Sequence, residues 1–227
     1  MNRMLTRRLK DLRYSLFYSL ILDKKTSLQA VGDVKRKCAW MIHAEDLNEK
    51  SIVYSGGVGN EMSFERDLAK IFGCTVILCD PSPTGSETMS LPENQDPRLR
   101  FNPIAITSKC GVLSFAEPLN PDEGSWFASA KSTATQEFPC INLPTLMAQN
   151  NHDYIDLLKI DIEGSEYEVI DQILETKLPV RQIAVEYHNG VLPGVKRSQT
   201  TRSIFNLMRS GYKLISQESH NHTFYKK

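Results

Sequence analysis

The sequence predicts an α/β fold: a doubly wound, mostly parallel sheet closed by a C-terminal antiparallel hairpin, with a helical extension at the N-terminus. Three observations predict it. From about residue 50 onward, short apolar runs alternate with segments whose apolar residues recur at three- and four-residue steps. The run CTVILCD (74–80) is apolar on both faces, as a parallel strand covered on both sides must be, and DYIDLLKID (153–161) reads as a second core strand. The chain ends in two β-rich stretches, YKLISQE and HTFYKK, joined by the polar SHN. Strand–helix repeats of this kind connect through right-handed crossovers into an open Rossmann-like sheet.

The elements follow in order. Residues 1–45 are read as a basic helical extension. Leu5, Leu9, Leu12, Leu16 and Leu20 recur at helical steps, which predicts an amphipathic helix docked on the domain. The alternative is a peripheral contact with an anionic membrane surface or a partner. The apolar run from Leu16 to Leu22 is broken by Tyr18 and Ser19 and is too short to span a bilayer. No small-residue cleavage site follows it at once. Residues 46–227 are read as the main domain. SIVYSG (51–56) is a strand stopped by glycines, and MSFERDLAKIFG (62–73) is a helix ended by Gly73. CTVILCD is the next strand. A short helix is placed near SETMSLPE, and RLRFNPIAIT (98–107) and CGVLSFAEP (110–118) are strands, with Pro103 arguing against an unbroken ladder. NPDEGSWFASAKSTATQEF (120–138) is read as a polar loop over the pocket, with Trp126 and Phe127 as stacking or anchoring residues. LPTLMAQNN starts a short helix with Pro144 in its first turn. Then come the strand DYIDLLKID, the helix SEYEVIDQILETK, the strand RQIAVEYH, and the helix TTRSIFNLMRSG closed by Gly211.

Composition excludes some classes. The 27 basic and 27 acidic residues cancel, so no global field draws the chain to nucleic acid. The first 37 residues are nevertheless basic: Arg3, Arg7, Arg8, Lys10, Arg13, Lys24, Lys25, Lys35, Arg36 and Lys37 stand against Asp11, Asp23 and Asp33. No aromatic-interleaved basic patch accompanies them, so nucleic acid is not an expected partner. Five cysteines (Cys38, Cys74, Cys79, Cys110, Cys140) form no CxxC or Cys/His cluster. Reduced, mostly buried thiols are expected, with no zinc site and a cytoplasmic setting.

The chemistry starts at VYSGGVGNE. Gly56, Gly57 and Gly59 allow a tight turn and a close backbone approach to a ligand, and the following helix points its free N–H groups at the same crevice. Asp80, followed by Pro81, ends the next strand, at the reach of a ribose diol. Together they predict a nucleoside-type cofactor. Met62 stands where a dinucleotide fingerprint needs a small residue, and no Gly-Lys-Ser/Thr follows, which excludes a Walker loop. A ribose-bearing cofactor without pyrophosphate fits best, and S-adenosyl-L-methionine is the obvious one. Its methionine end would lie over the glycine turn and its adenine near Ala105 and Ile106.

LLKIDIEGSEYEVI (157–170) places Lys159, Asp161 and Glu163 two apart at the end of a core strand. A buried Lys159 needs a partner, and Glu186 on the neighbouring strand is the expected one, in a pair that is either structural or a catalytic element orienting the substrate. Ser165 and Glu168 are expected to cap the next helix. Transfer of a methyl group to oxygen requires alignment and removal of a proton. Asp161, Glu163, Glu186 and His188 are the candidates at the strand ends, and His188, whose ordinary pKa is near neutrality, suits a general base. Asp161, Glu186 and His188 also have the chemistry of a divalent-metal site, but nothing in the spacing demands one, and no metal is expected.

Taken together, VYSGGVGNEMSFERDL…VILCDPSP, LLKIDIEGSEYEVI and IAVEYHNG resemble the FkbM-type S-adenosylmethionine-dependent methyltransferases, from about Trp40 to the C-terminus. The KIDIEGSE block is the most specific part. The resemblance implies a class I methyltransferase domain and methyl transfer to a hydroxyl of a sugar, glycan or natural product. It implies that Ser55, Gly56, Gly57 and Gly59 cradle the cofactor, that Asp80 holds its ribose, and that Asp161 faces the sulfonium. One departure stands out. Class I enzymes usually carry an acid at the position of Ser55, so another group (Glu61, Glu65 or Asp161) must meet the cofactor's ammonium. Two rivals remain: a non-catalytic module with this fold, favoured by Ser55, and a nicotinamide-dependent oxidoreductase, opposed by Met62.

Overall fold

The computed structural model describes residues 16–116, 126–128, 136–192 and 194–227. Residues 16–21 are helical (α1), and an antiparallel hairpin follows, β1 (Gln29–Val31) with β2 (Trp40–Ile42). The alternation then begins with β3 (Ile52–Gly56), α2 (Ser63–Phe72), β4 (Thr75–Cys79), α3 (Pro83–Ser90) and β5 (Leu99–Asn102). Beyond Pro103 come the short β6 (Ala105–Ile106), β7 (Gly111–Ala116), β8 (Phe127–Ala128), β9 (Gln136–Ile141) and α4 (Leu143–Gln149). The final part holds β10 (Ile155–Ile160), α5 (Glu166–Thr176), β11 (Val180–Glu186), α6 (Arg197–Arg209), β12 (Lys213–Glu218) and β13 (Asn221–Tyr225).

Seven strands form the central sheet in the order β12-β13-β11-β10-β3-β4-β5. The five from β11 to β5 are parallel, and β13 and β12 add an antiparallel edge. Adjacent residues point to opposite faces, and both faces are buried. Tyr54, Ile77, Leu158 and Ile183 enter one core with α4, α5 and α6, whereas Val53, Val76 and Leu157 enter a second with α2 and the β1–β2 hairpin. A separate four-stranded sheet, β6-β9-β7-β8, encloses a small cluster around Phe115 and Phe138. Of the polar 120–138 stretch, residues 120–125 and 129–135 lie outside the described residues; Trp126, β8 and the start of β9 lie within them.

At the N-terminus, Leu5, Leu9 and Leu12 lie outside the described residues. Leu16 and Leu20 do not face the domain; they are 60% and 76% exposed. The docked face is the neighbouring one, formed by Phe17, Tyr18, Ile21 and Leu22. Aromatic rings win the contact because they bury more area: Phe17 packs edge-on against Phe205 of α6, and Tyr18 reaches the core. No helix among the described residues is long and apolar enough to cross a membrane. The five cysteines are free; Cys74, Cys79 and Cys140 are buried.

Candidate active site

The parallel strands end on one side of the sheet, and the glycine turn occupies the gap between β3 and β4. Gly57 N donates to Cys79 O at 2.9 Å, and Asp161 N donates to Gly56 O at 3.0 Å. Gly57 has φ +83°, and a Cβ on it would lie 1.8 Å from Asp161 O, so no other residue fits. Asp80 reaches this turn from β4. Its Oδ2 accepts from Val58 N and Gly59 N at 2.8 and 2.9 Å. Its Oδ1 accepts from Ser82 N and Ser82 Oγ at 2.8 and 2.6 Å, and Ser82 Oγ in turn caps α3 through Gly85 N. The carboxylate thus fixes the turn and the start of the next helix together.

One pocket runs along these strand ends. Gly57, Gly59, Glu61, Asp80 and Pro81 line one part of it, Ala105 and Ile106 another, and Lys159, Asp161 and Glu186 a third. Ser55, Gly56 and His188 stand behind its wall rather than on it. Phe115 and Trp126 from the small sheet, and Lys37 and Trp40 from the hairpin, complete the lining. Six carboxylates face it (Glu61, Glu65, Asp80, Asp161, Glu163, Glu186) against the amines of Lys37 and Lys159, so the site suits a positively charged ligand.

The partner of Lys159 is not Glu186. In the parallel register Lys159 lies beside Ser55, on the face covered by α2, whereas Glu186 lies one residue beyond Val185 at the strand's end. Lys159 Nζ therefore meets Glu65 Oε1 and Asp161 Oδ2, each at 3.8 Å, and donates to Gly57 O at 2.5 Å. The Trp40 ring lies 5.8 Å away. Ser55 Oγ donates to Glu65 Oε1 at 2.5 Å, so the wholly buried Glu65 brings a carboxyl group to the place where Ser55 offers none. Burial pushes the Glu65 carboxyl up, against the pull of Lys159 and Ser55. Burial pulls Lys159 down, but Asp161, Glu65 and Glu186 outweigh it and raise its pKa, so the amine stays charged.

The start of α5 also differs from the capping box read in the sequence. Ser165 has helical φ and ψ and makes no side-chain cap, because Glu166, in the first turn, takes the role. Glu166 Oε1 accepts from Ile162 N at 3.1 Å, and both its oxygens accept from Gly164 N. The same oxygen accepts from His188 Nδ1 at 2.8 Å. His188 Nε2 lies 3.2 Å from Glu163 Oε2 and 3.6 Å from Asp161 Oδ1. Burial pulls the His188 pKa down, but the Glu166 hydrogen bond and the charges of Glu166, Glu163 and Asp161 overcome it and push the pKa up to about 10. With carboxylates at both nitrogens the ring holds both protons at neutral pH, which does not suit a general base. Glu186 is raised as well: burial, then the Asp161 charge, push its carboxyl up to about 7.

Glu65 and Glu166 thus carry much of the site's architecture. Both are acids in the first turn of a helix that follows a glycine turn, a recognisable signal, but their burial follows only from the packing of helix on sheet.

An open, mostly parallel sheet with a pocket at its strand ends, a glycine turn and a wall of acids is the plan of a methyltransferase-type enzyme. A family model for the methyltransferase FkbM domain matches residues 58–213, well over half of the chain, and the chain belongs to that family. No curated protein matches the sequence significantly. Among solved structures, the fibrillarin pre-rRNA processing protein of Methanococcus jannaschii is similar at 13% identity and a TM-score of 0.45, covering 89% of this chain and 72% of that one. A putative methyltransferase from Thermoplasma acidophilum is similar at 11% identity and a TM-score of 0.39, covering 80% and 70%. M. jannaschii TYW2, in complex with AdoMet, is similar at 12% identity and a TM-score of 0.37, covering 91% and 90%.

Proposed function

We propose that this chain is an S-adenosyl-L-methionine-dependent O-methyltransferase of Rossmann-like, class I type, acting on a hydroxyl of a sugar, glycan or natural product. The observation that carries the reading is the acid-lined pocket beside the glycine turn. A sulfonium cofactor is a cation with a ribose, and both features have counterparts here. The turn at Gly57 and Gly59 takes the methionine end, with Glu65 and Lys159 behind it. Asp80 meets the ribose, exchanging a bond to the turn for one to a hydroxyl. Ala105 and Ile106 form an apolar wall for the adenine. Asp161 and Glu186 then face the methyl group and the acceptor oxygen. Their negative charge favours the sulfonium and the proton that leaves the hydroxyl. Trp126 and Phe115 offer an aromatic face for a sugar ring. The alternation of parallel strands with crossover helices supports the Rossmann-like assignment.

Calorimetry with S-adenosylmethionine and with NAD tests the cofactor, and transfer of labelled methyl to glycans and hydroxylated metabolites tests the reaction. The expected result is heat with S-adenosylmethionine alone, weakened about tenfold or more in Asp80→Asn through loss of charged hydrogen bonds. Glu186→Gln should lower kcat more than it raises KM. Heat with NAD alone would establish the oxidoreductase instead, and no heat with either would leave a binding module.

A further inference from the structure

Asp161, Glu186 and His188 offer three ligand atoms that lie within 4.8 Å of one another. This is the span of donors around one divalent cation, whose bonds to oxygen or nitrogen run about 2.0–2.4 Å. Acids alone gather at many pocket mouths. Two further observations set this group apart. First, the imidazole of His188 is almost wholly buried, yet its Nε2 is turned toward the acids. What turns it lies outside the group: Glu166, 0% exposed and pinned by two backbone amides, holds Nδ1. A carboxylate fixing one nitrogen of a histidine, so that the other faces a metal, is the usual support of a metal-bound imidazole. Second, Glu186 makes neither a side-chain hydrogen bond nor an ion pair with any described residue, although it is half-buried and faces the pocket. Glu163 adds a third carboxylate within reach of the same nitrogen.

We propose that Asp161, Glu186 and His188 form a binding site for one divalent cation at the acceptor end of the pocket. A donor set rich in carboxylate with a single imidazole fits manganese best, with magnesium weaker. Binding displaces the proton from His188 Nε2 to solvent, while Glu166 keeps the one on Nδ1, and three protein ligands leave positions open toward the pocket. If the methyltransferase reading holds, an acceptor with neighbouring hydroxyls would fill them, and Glu186 would act there as a metal ligand.

The test is titration of the metal-free full chain with Mn2+ alone, read by the loss of the free-ion electron spin resonance signal and by calorimetry. One saturable equivalent per chain is expected. His188→Asn and Glu186→Gln should each weaken binding about tenfold or more. Glu175→Gln, an exposed acid elsewhere on α5, should leave it unchanged. Glu186→Gln removes no hydrogen bond or ion pair among the described residues, and circular dichroism of each metal-free variant checks that it is folded. No saturable binding by the native chain, or equal binding by native chain and both ligand variants, overturns the site. Failure is separable from failure of the methyltransferase reading: Mn2+ bound without S-adenosylmethionine sinks only that reading, and the reverse sinks only this one.

Discussion

His188 and His222 are buried to 6% and 1% exposure in neighbouring parts of the sheet, and their surroundings drive them in opposite directions. His222 sits on β13 opposite Val185, only three residues before His188. Its ring lies among those of Tyr18, Tyr187 and Phe224. Its Nδ1 donates to the carbonyl of His220 at 2.8 Å, which leaves Nε2 to accept from the Tyr18 hydroxyl at 2.7 Å. Burial pushes its pKa down to about 4, and the ring is neutral. His188 is equally dry but has acids at both nitrogens, and it is cationic. Burial alone therefore does not decide a histidine's charge. The partners left at each nitrogen do, and they separate a packing residue from a residue of the site.

Four measurements test this contrast. The largest effect is expected for His188→Leu, which leaves the buried carboxylate of Glu166 without its cation. It should cost about 3–5 kcal/mol in urea unfolding, as breaking a buried ion pair does. A loss below about 1 kcal/mol would show that Glu166 is satisfied by its backbone amides alone. His222→Phe keeps the ring and loses only neutral hydrogen bonds, so about 1–3 kcal/mol is expected. An equal or greater loss than for His188→Leu would erase the distinction.

The third prediction concerns pH. Below the ordinary histidine pKa of 6.5 the unfolded chain takes up a proton that folded His222 refuses until about pH 4. The unfolded state binds more protons in that window, so His222's contribution to stability falls as pH falls from about 6.5 to 4. His222→Phe should flatten that part of the stability profile; an unchanged slope would mean that His222 is not held neutral. The smallest effect is expected for Tyr18→Phe, which removes one donor to His222 and should cost about 0.5–1.5 kcal/mol.

The parallel sheet was legible because its strands are apolar on both faces and its helices have clear periods. CTVILCD and DYIDLLKID announce themselves, and the glycine turn with Asp80 follows from the spacing of VYSGGVGNE and its neighbouring strand. The β1–β2 hairpin was not legible. Its strands have three residues each, too few for a period, and Trp40 is buried only because α2 lies beneath it. The partner of Lys159 was missed for a related reason. Sequence spacing places residues along a strand, but the helix covering that face supplies the partner, and Glu65 comes from that helix. His188 was read at its ordinary pKa because Glu166 is invisible as its neighbour until α5 packs on the sheet.

The hydrogen bonds from Lys159 to Gly57 and from Asp161 to Gly56 have a mechanical consequence. Together with the lack of room for a side chain at Gly57, they fasten the glycine turn to the end of β10. Turn and carboxylate behave as two ends of one stiff lever. A displacement of the Asp161 backbone must therefore be shared by Gly56 and Gly57, because the bonds between them leave no slack.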